Sequence, residues 1–353
     1  MTAVAMEAEF DDIAGWTADA VAQLGERYAI PAACRGSASP AALAWLAEAC
    51  ELSTGTVLLD VGAGAGGPAA WAAKRFGVRP ILVEPMPAAC RAAARMFGLP
   101  VIMADGRDMP LRSASIDVAW CLGVLDTVRD QAGLLAEIHR VLRPGASLGL
   151  LVVVARDPGI SPVPEGNHFP TQTALAALLD AAGFDLVEQV ERPSDAPLSW
   201  SRRAAQVAEV VATRHRADRA YALAAHQSAS FTRLFASGQA SIQLIHAVRR
   251  PDRRTQGPTP HGGEMSTQNG DDDVEFDLEI EIEVELREAV ASHAEEVMAQ
   301  PPEQWLFDPV EEQAYEVELR SLLGAVVELK HGAPEPADQP AHPDPSTDET
   351  RLP

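Results

Sequence analysis

The stretch VLLDVGAGAGG, Val57 to Gly67, decides the fold of this chain. An apolar run leads into Asp60, and a helix-forming run, Ala69 to Lys74, comes after the turn. The turn itself carries four glycines, Gly62, Gly64, Gly66 and Gly67. Glycine lets a backbone adopt positive φ and approach a ligand that a Cβ atom would exclude. This pattern predicts a buried parallel strand, a tight turn that holds a nucleotide-like cofactor, and the start of a helix.

More apolar segments follow at the spacing of a doubly wound sheet. PILVEP places Glu84 at the end of a second strand, 24 residues beyond Asp60, where such folds carry the carboxylate that binds ribose hydroxyls. LPVIMAD ends in Asp105 and Gly106, SIDVAWCLG breaks at Gly123, and a helix and a fifth strand follow in LLAEIHRVLRPGASLGLLVVVA. This alternation predicts an α/β fold with a mostly parallel sheet and helices on both faces.

Three blocks, GAGAGGPA, ADGRDMPL with Ile116-Asp117 behind it, and EIHRVLRPGA, occur in one order and spacing. With them the chain resembles the class I S-adenosylmethionine-dependent methyltransferases, in particular the ubiquinone-biosynthesis and sterol-methyltransferase type. The resemblance covers about residues 40 to 250. It implies a seven-stranded, Rossmann-like sheet whose last strand, SIQLIHAVRR, lies antiparallel between the fifth and sixth.

The resemblance also implies S-adenosyl-L-methionine as the cofactor. N–H groups of the glycine turn would face its carboxylate, and Asp60 would shape the turn and reach the amino-acid end. Glu84 would accept both ribose hydroxyls, Asp105 would accept from the adenine amino group, and Leu122 and Met109 would pack against the ring. The expected cofactor-binding residues are Asp60, Gly62, Gly64, Gly66, Glu84, Asp105, Gly106 and Leu122.

The acceptor pocket is expected between the N-terminal cap, the loop 157–172 and a lid. His168, in EGNHFP, is the candidate catalytic base or acceptor-orienting group, with a loop-stabilising histidine as the alternative. Tyr28 and Arg35 are candidates for the substrate pocket, and an ordinary surface arginine is the alternative for the latter. The fourth strand is not followed by Asn/Asp-Pro-Pro-Tyr, which disfavours nucleobases and glutamine amides as acceptors. Whether O, N, S or C is methylated stays open.

Charge is concentrated at one end of the chain. The formal net charge is −23, and residues 257–353 hold 25 acidic and 4 basic residues, against 26 and 24 in the other 256. Neither part is a basic surface for phosphates, which argues against nucleic acid as a partner. The histidines do not cluster, so no metal is expected. Scattered cysteines, an acidic N-terminus and the absence of a long apolar run predict a cytoplasmic location without membrane contact.

Five segments are expected: a helical cap at 1–50, a methyltransferase domain at 51–253 with a lid insert at about 195–240, a flexible linker at 254–273, an acidic strand-helix-helix domain at 274–331, and a disordered tail at 332–353. From Val274 to Leu286, apolar residues alternate with acidic ones, which predicts a strand. One strand with an apolar face is not stable alone. We therefore expect it to pack in a helper domain, to dimerise, or to dock a protein partner through 274–330.

The sequence thus predicts a methyltransferase that moves a methyl group from S-adenosylmethionine to a small-molecule acceptor by in-line displacement. Two alternatives stay open. One is a non-catalytic, cofactor-binding scaffold that works through the acidic C-terminal domain. The other is a protein methyltransferase whose acidic domain recruits a basic substrate by electrostatic attraction.

Overall fold

One mixed β-sheet organises the protein, whose structure, a computed structural model, describes residues 3–34, 38–192 and 198–251. The strands are β1 Val57–Val61, β2 Arg79–Val83, β3 Val101–Ile102, β4 Ile116–Leu122, β5 Leu142–Ala155, β6 Phe184–Glu191 and β7 Ala240–Arg249. Their order is β3-β2-β1-β4-β5-β7-β6, and β7 alone runs antiparallel to its neighbours. The predicted seven-stranded, mostly parallel sheet is confirmed, with the last strand inserted between the fifth and sixth.

Helices cover both faces of this sheet. Within the described residues they are α1 Ala3–Leu24, α2 Ala29–Ala33, α3 Pro40–Ala49, α4 Gly67–Phe76, α5 Pro87–Phe97, α6 Gln131–Val141, α7 Gln172–Ala181, α8 Leu198–His215 and α9 Arg219–Ala236. In the N-terminal segment, expected to be helical, α1 ends at Leu24, and Gly25, with a φ of 110°, separates it from the short helices that follow. No helix in the described ranges is long and apolar enough to cross a membrane.

Local sequence signals set the helix ends. The Ser39 side chain accepts a hydrogen bond from the N–H of Ala42 at 3.2 Å, with Pro40 in the first turn of α3. Helix α4 begins after Gly66, at φ 81°, and ends at Gly77, at φ 66°. Both glycines take a left-handed conformation that residues with a Cβ atom rarely adopt. These caps place the start of α4 directly behind β1.

The core divides between the two faces of the sheet. Leu58 of β1 packs in one cluster with α3, whereas Leu59 and Val61 pack in another with α6 and α7. This is the alternation expected of a strand covered on both sides. A third cluster joins α1 and α2 to α4, α5 and α8. The N-terminal helices therefore pack on the side of the sheet where the glycine turn lies.

Four sequence predictions fall outside the described residues. They are Arg35, the linker 254–273, the acidic domain 274–331 and the tail 332–353. The segment expected to form a lid, about 195–240, contains α8 and α9. A role for these two helices as a lid stays a prediction.

Candidate functional site

The glycine turn between β1 and α4 is closed by its own hydrogen bonds. Gly62 N–H donates to the carbonyl of Val83 at 2.8 Å, Gly64 N–H donates to Glu84 Oε2 at 2.7 Å, and Gly66 N–H donates to a carbonyl within the turn at 2.9 Å. These three N–H groups are already used inside the protein. These three glycines contribute space and conformation, and a contact between N–H groups of the turn and the carboxylate of a cofactor stays a prediction.

Three glycines of the turn, Gly62, Gly64 and Gly66, differ in what surrounds them. All three have positive φ, and a Cβ atom at Gly62 would lie 2.5 Å from Val124 Cγ2. At Gly66 it would lie 2.9 Å from Leu82 Cδ2, so both positions are closed by packing. A Cβ atom at Gly64 would meet nothing within 4 Å. The turn is therefore open toward a ligand at Gly64 alone among the three.

Glu84 is buried directly after β2, and its carboxylate holds the glycine turn in place by hydrogen bonds. Its Oε2 accepts from Gly64 N–H, and its Oε1 accepts from Met86 N–H at 3.0 Å. Burial raises the pKa of Glu84, and the two N–H donors oppose that shift. Each carboxylate oxygen has a second lone pair, so both can still accept a hydroxyl. The geometry is compatible with the predicted ribose contact, which stays a prediction.

Asp60 is the buried acid of β1 and has one oxygen without a donor. Its side chain accepts from the N–H of Ala69 in α4, which ties β1 to the helix behind the turn. No donor in the described part of the chain reaches Oδ2, although the residue is 2% exposed. Burial raises the pKa of Asp60 to about 7, and the charge of Glu84 adds to the effect. A cationic amino group at Oδ2 would supply the missing donor and offset the burial.

The residues expected around an adenine ring are less uniform. Asp105 is exposed and bound by Arg107, whose Nη2 lies 2.6 Å from Oδ2, and this partner lowers the pKa of Asp105. At Gly106 a Cβ atom would lie 2.9 and 3.0 Å from two core side chains, so glycine is needed there for packing. Leu122 is half-buried at the end of β4. Met109 is 3% exposed in the core cluster beside α6, so the expected contact of Met109 with the ring is not supported.

Tyr28 is buried in the N-terminal cap. It is 8% exposed and belongs to the same apolar cluster as Ala63 of the glycine turn and Val207 of α8. Its hydroxyl lies 3.4 Å from Arg27 Nη2. This environment packs the ring between cap, turn and α8, and leaves the hydroxyl end beside a guanidinium. A contact of Tyr28 with an acceptor stays a prediction.

His168 is exposed in the loop after β5. Its backbone N–H donates to the carbonyl of Asp126 at 2.6 Å, and its carbonyl accepts from Gln131 Nε2 at 2.7 Å. The residue lines a cleft of about 360 Å³ between this loop and helices α6 and α7. The lining of that cleft includes neither the glycine turn nor Asp60 or Glu84. The cleft is therefore separate from the cofactor residues, whereas the N–H of His168 contacts Asp126 just past β4. A role of His168 as base or acceptor-orienting group stays a prediction.

Asp126 was missed by the sequence reasoning. It lies in a short 3-10 helix, Leu125–Thr127, directly after β4, and it is 3% exposed. Its Oδ1 is buried and has no donor within the described ranges. Burial raises the pKa of Asp126 to about 6, and backbone N–H groups oppose the shift. The signal that could have found it is an acid inside the apolar run VLDTV, just past the end of a predicted strand.

Comparison with known proteins assigns the segment that holds these residues. Residues 59–150 match a family model described as a methyltransferase domain. The methyltransferase GfsG of Streptomyces halstedii is 31% identical over 160 residues, which are 40% of this chain and 58% of the relative. The match thus spans little more than half the length of that relative. Residues 59–150 are therefore similar to known methyltransferase domains.

Solved structures with a similar fold were also found. The [4+2]-cyclase SpnF is 27% identical with a TM-score of 0.48, and the match covers 59% of this chain and 79% of that one. The geranyl diphosphate C-methyltransferase of Streptomyces coelicolor is 16% identical with a TM-score of 0.44, covering 59% and 78%.

Proposed function

We propose that this chain, whose residues 59–150 match a methyltransferase domain, is an S-adenosylmethionine-dependent methyltransferase that acts on a small molecule. The observation that carries the proposal is the Asp60 carboxylate, which is buried beside the glycine turn with Oδ2 lacking a donor. A carboxylate in such surroundings is stabilised by a cation with N–H donors. The amino-acid end of the cofactor carries such a group.

The described residues fit the cofactor at three points. Asp60 would bind the amino group, the open face of the turn at Gly64 would allow close approach of the ligand, and Glu84 would accept ribose hydroxyls. Leu122 would pack against the adenine ring. Asp105 would accept from the adenine amino group while its carboxylate also accepts from Arg107. When bound, the cofactor supplies a methyl carbon on a positively charged sulfur. The protein then has to orient the acceptor in line with that bond and exclude water.

The N-terminal helices are built to cover this site. A Cβ atom at Gly67, the first residue of α4, would lie 2.5 Å from the carbonyl carbon of Ala33 and from the backbone N of Cys34. The end of α2 therefore lies directly against the start of α4, next to the glycine turn. We expect this contact to shield the amino-acid end of a bound cofactor from solvent.

The choice of a small molecule is supported by charge and by the three sequence blocks. Outside residues 257–353 the chain is nearly neutral, with 26 acidic and 24 basic residues. It therefore has no excess of positive charge that would attract a polyanion. The blocks favour the ubiquinone-biosynthesis and sterol type within class I. A cytoplasmic location, and a homodimer or protein partner through residues 274–330, stay predictions. So do the scaffold and protein-methyltransferase alternatives.

Calorimetric binding of S-adenosylhomocysteine tests the proposal. We expect wild type to bind in the micromolar range and Asp60→Asn to bind at least about tenfold more weakly, which is ~1.4 kcal/mol. Glu84→Gln should also weaken binding, with an added loss of stability because Glu84 holds the turn. Asp157→Asn, at an exposed position, is the matched control. Folded wild type that does not bind the compound would contradict the proposal and leave the scaffold alternative without its cofactor.

A further inference from the structure

Acidic residues lie at the carboxyl ends of three adjacent strands. Asp60 lies in β1, Glu84 follows β2, and Asp126 lies in the short helix that follows β4. Because the strand order is β2-β1-β4-β5, Asp126 lies on the side of Asp60 that is remote from Glu84. The cofactor assignment uses Glu84 and Asp60. Asp126 has no part in it.

The Asp126 carboxylate bridges the ends of β4 and β5 with one oxygen and leaves the other without a partner. It accepts from the N–H of Val153 in β5 and from its own N–H. Oδ1 has no donor among the described residues, and the residue is 3% exposed. Buried carboxylate oxygens without donors are rare, because the interior does not replace the hydrogen bonds that water provides. The unpartnered oxygen points to a ligand that brings its own donor.

The position of Asp126 is fixed by its neighbours. The N–H of His168 donates to its carbonyl at 2.6 Å, which fastens the loop after β5 to the short helix. Gln131 Nε2 donates to the carbonyls of Leu125 at 3.0 Å and of His168 at 2.7 Å. These bonds come from α6 and from the loop, so the backbone that carries Asp126 is held from two sides. A group held in this way is suited to act on a ligand at a defined place.

Asp126 and Asp60 also share a neighbour. The pKa of the Cys121 thiol in β4 is raised by burial and by the negative charges of both carboxylates. The strand register pairs Asp60 with Trp120, the residue next to Cys121, and Asp126 follows the end of the same strand. The two acids therefore flank the end of β4, with Asp60 on the cofactor side and Asp126 toward β5.

We propose that Asp126 is a catalytic residue on the acceptor side of the site and that the acceptor carries a hydroxyl group. This inference rests on the proposed function. The hydroxyl oxygen forms a bond to the methyl carbon while the S–C bond breaks, and the electron pair of that bond stays on sulfur. Asp126 Oδ1 accepts the hydroxyl proton and returns it to water after the products, a methyl ether and S-adenosylhomocysteine, leave.

The acidity of Asp126 suits this role. With its pKa raised to about 6, the group is ionised at neutral pH and more basic than an ordinary aspartate. A general base works best when its pKa lies near the working pH. A hydroxyl also supplies the one donor that Oδ1 lacks, whereas a fully substituted amine or a thiolate would not.

Two cofactor analogues locate Asp126 without knowledge of the acceptor. S-adenosylhomocysteine has a neutral sulfur, whereas sinefungin has a carbon that carries a charged amine where the methyl group is transferred. We expect wild type to bind sinefungin at least about tenfold more tightly, because the positive charge of the amine would lie about 4–5 Å from the Asp126 carboxylate, with room for one hydroxyl or water between them. Asp126→Asn should lose this preference and keep its affinity for S-adenosylhomocysteine within about twofold. Asp185→Asn, in β6 at the far edge of the sheet, should keep both affinities.

The outcomes separate this inference from the proposed function. If folded Asp126→Asn keeps the preference for sinefungin, or if wild type has none, the inference is wrong and the function still stands. If wild type does not bind S-adenosylhomocysteine, the proposed function itself fails. Should the variant not fold, a crystal structure of wild type with sinefungin decides instead. We expect its amine nitrogen about 4–5 Å from Oδ1, because the acceptor oxygen has to fit between the methyl position and the base. A separation beyond about 7 Å, too long for one bridging hydroxyl, would overturn the inference.

Discussion

At the scale of the residue, the site is built from carboxylates that the fold removes from water. Asp60 and Glu84 are 2% and 1% exposed, and both have a raised pKa because burial disfavours their charge. Backbone N–H groups of the turn and of α4 compensate part of this cost. The remaining cost of burial would be offset by a bound ligand. The burial of these two carboxylates is therefore better explained by ligand binding than by a contribution to the stability of the fold.

The stability of the ligand-free protein should therefore depend on pH through Asp60. Its folded pKa of about 7 exceeds the ordinary value of 3.8, so between these values the folded state binds a proton that the unfolded state has lost. Stability then falls as pH rises toward about 7, by up to a few kcal/mol in total. We expect the melting temperature of wild type to fall from pH 5 to pH 8.

The comparison with Asp60→Asn isolates this contribution. The variant should show a smaller slope, with a remainder because Asp126 and Glu84 have pKa shifts of the same sign. Asp157→Asn should keep the wild-type slope. If the melting temperature of Asp60→Asn depends on pH as steeply as that of wild type, Asp60 does not bind the proton in the folded state.

At the scale of the element, two of the sequence blocks are joined by one ion pair. Glu137 Oε1 and Oε2 each accept from Arg140 at 2.7 Å, and Oε1 also accepts from the N–H of Met109. Arg140 donates further to the carbonyls of Met109 at 3.0 Å and Leu111 at 2.7 Å. The block EIHRVLRPGA therefore anchors the loop that contains ADGRDMPL, which explains why the two occur together.

Arg140→Ala should destabilise the protein by about 2 kcal/mol, because it removes the hydrogen bonds that Glu137, Met109 and Leu111 accept from this side chain. Urea unfolding measures the change. Arg95→Ala is the matched control, since Arg95 pairs with Asp19 at 2.7 Å but both side chains are about half exposed. An exposed pair of this kind contributes less than about 1 kcal/mol. Equal losses in the free energy of unfolding would show that the hydrogen bonds of Arg140 contribute no more than an exposed ion pair.

The contact between α2 and α4 is a second element-scale feature with a direct test. Gly67→Ala places a methyl group 2.5 Å from the backbone of Ala33 and Cys34, so the cap must move away from the turn. We expect a loss of about 1–3 kcal/mol in stability and weaker binding of S-adenosylhomocysteine. Gly159→Ala, where the new atom meets nothing within 4 Å, should change neither. Unchanged binding in Gly67→Ala would exclude the cap from the site.

At the scale of the whole molecule, charge and site are separated along the chain. Every residue assigned to the cofactor lies between residues 60 and 122, and the last strand of the sheet ends at Arg249. The acidic excess of 25 against 4 basic residues lies beyond residue 256. The seven strands that the structure describes thus end before the acidic segment begins.

A chain ending at Pro251 should therefore keep the fold and bind S-adenosylhomocysteine with an affinity within about twofold of wild type. Calorimetry on the two proteins measures this, with circular dichroism as the control for folding. A larger loss in a folded truncated protein would assign the acidic segment a part in the cofactor site.

The sequence predicted the fold more completely than the contacts of the site. The glycine turn and the strand spacing predicted a mostly parallel sheet, because these features depend on local periodicity and on chain order. The seven strands and the antiparallel insertion were implied by the family resemblance that the three blocks carry. The reasoning from strand spacing also placed Glu84 and Asp60 at one edge of the sheet. It missed the break at Gly25, which depends on a single residue with positive φ.

Only the tertiary structure decided what each side chain contacts. The N–H groups of the glycine turn donate within the protein, Met109 lies in the core, and Asp126 loses its access to water at the end of β4. Burial, like the choice of hydrogen-bond partner, depends on residues distant in sequence, and a linear pattern does not contain that information. The chain by itself determined a sheet with a cofactor turn, and its packing determined which carboxylates there remain without a partner.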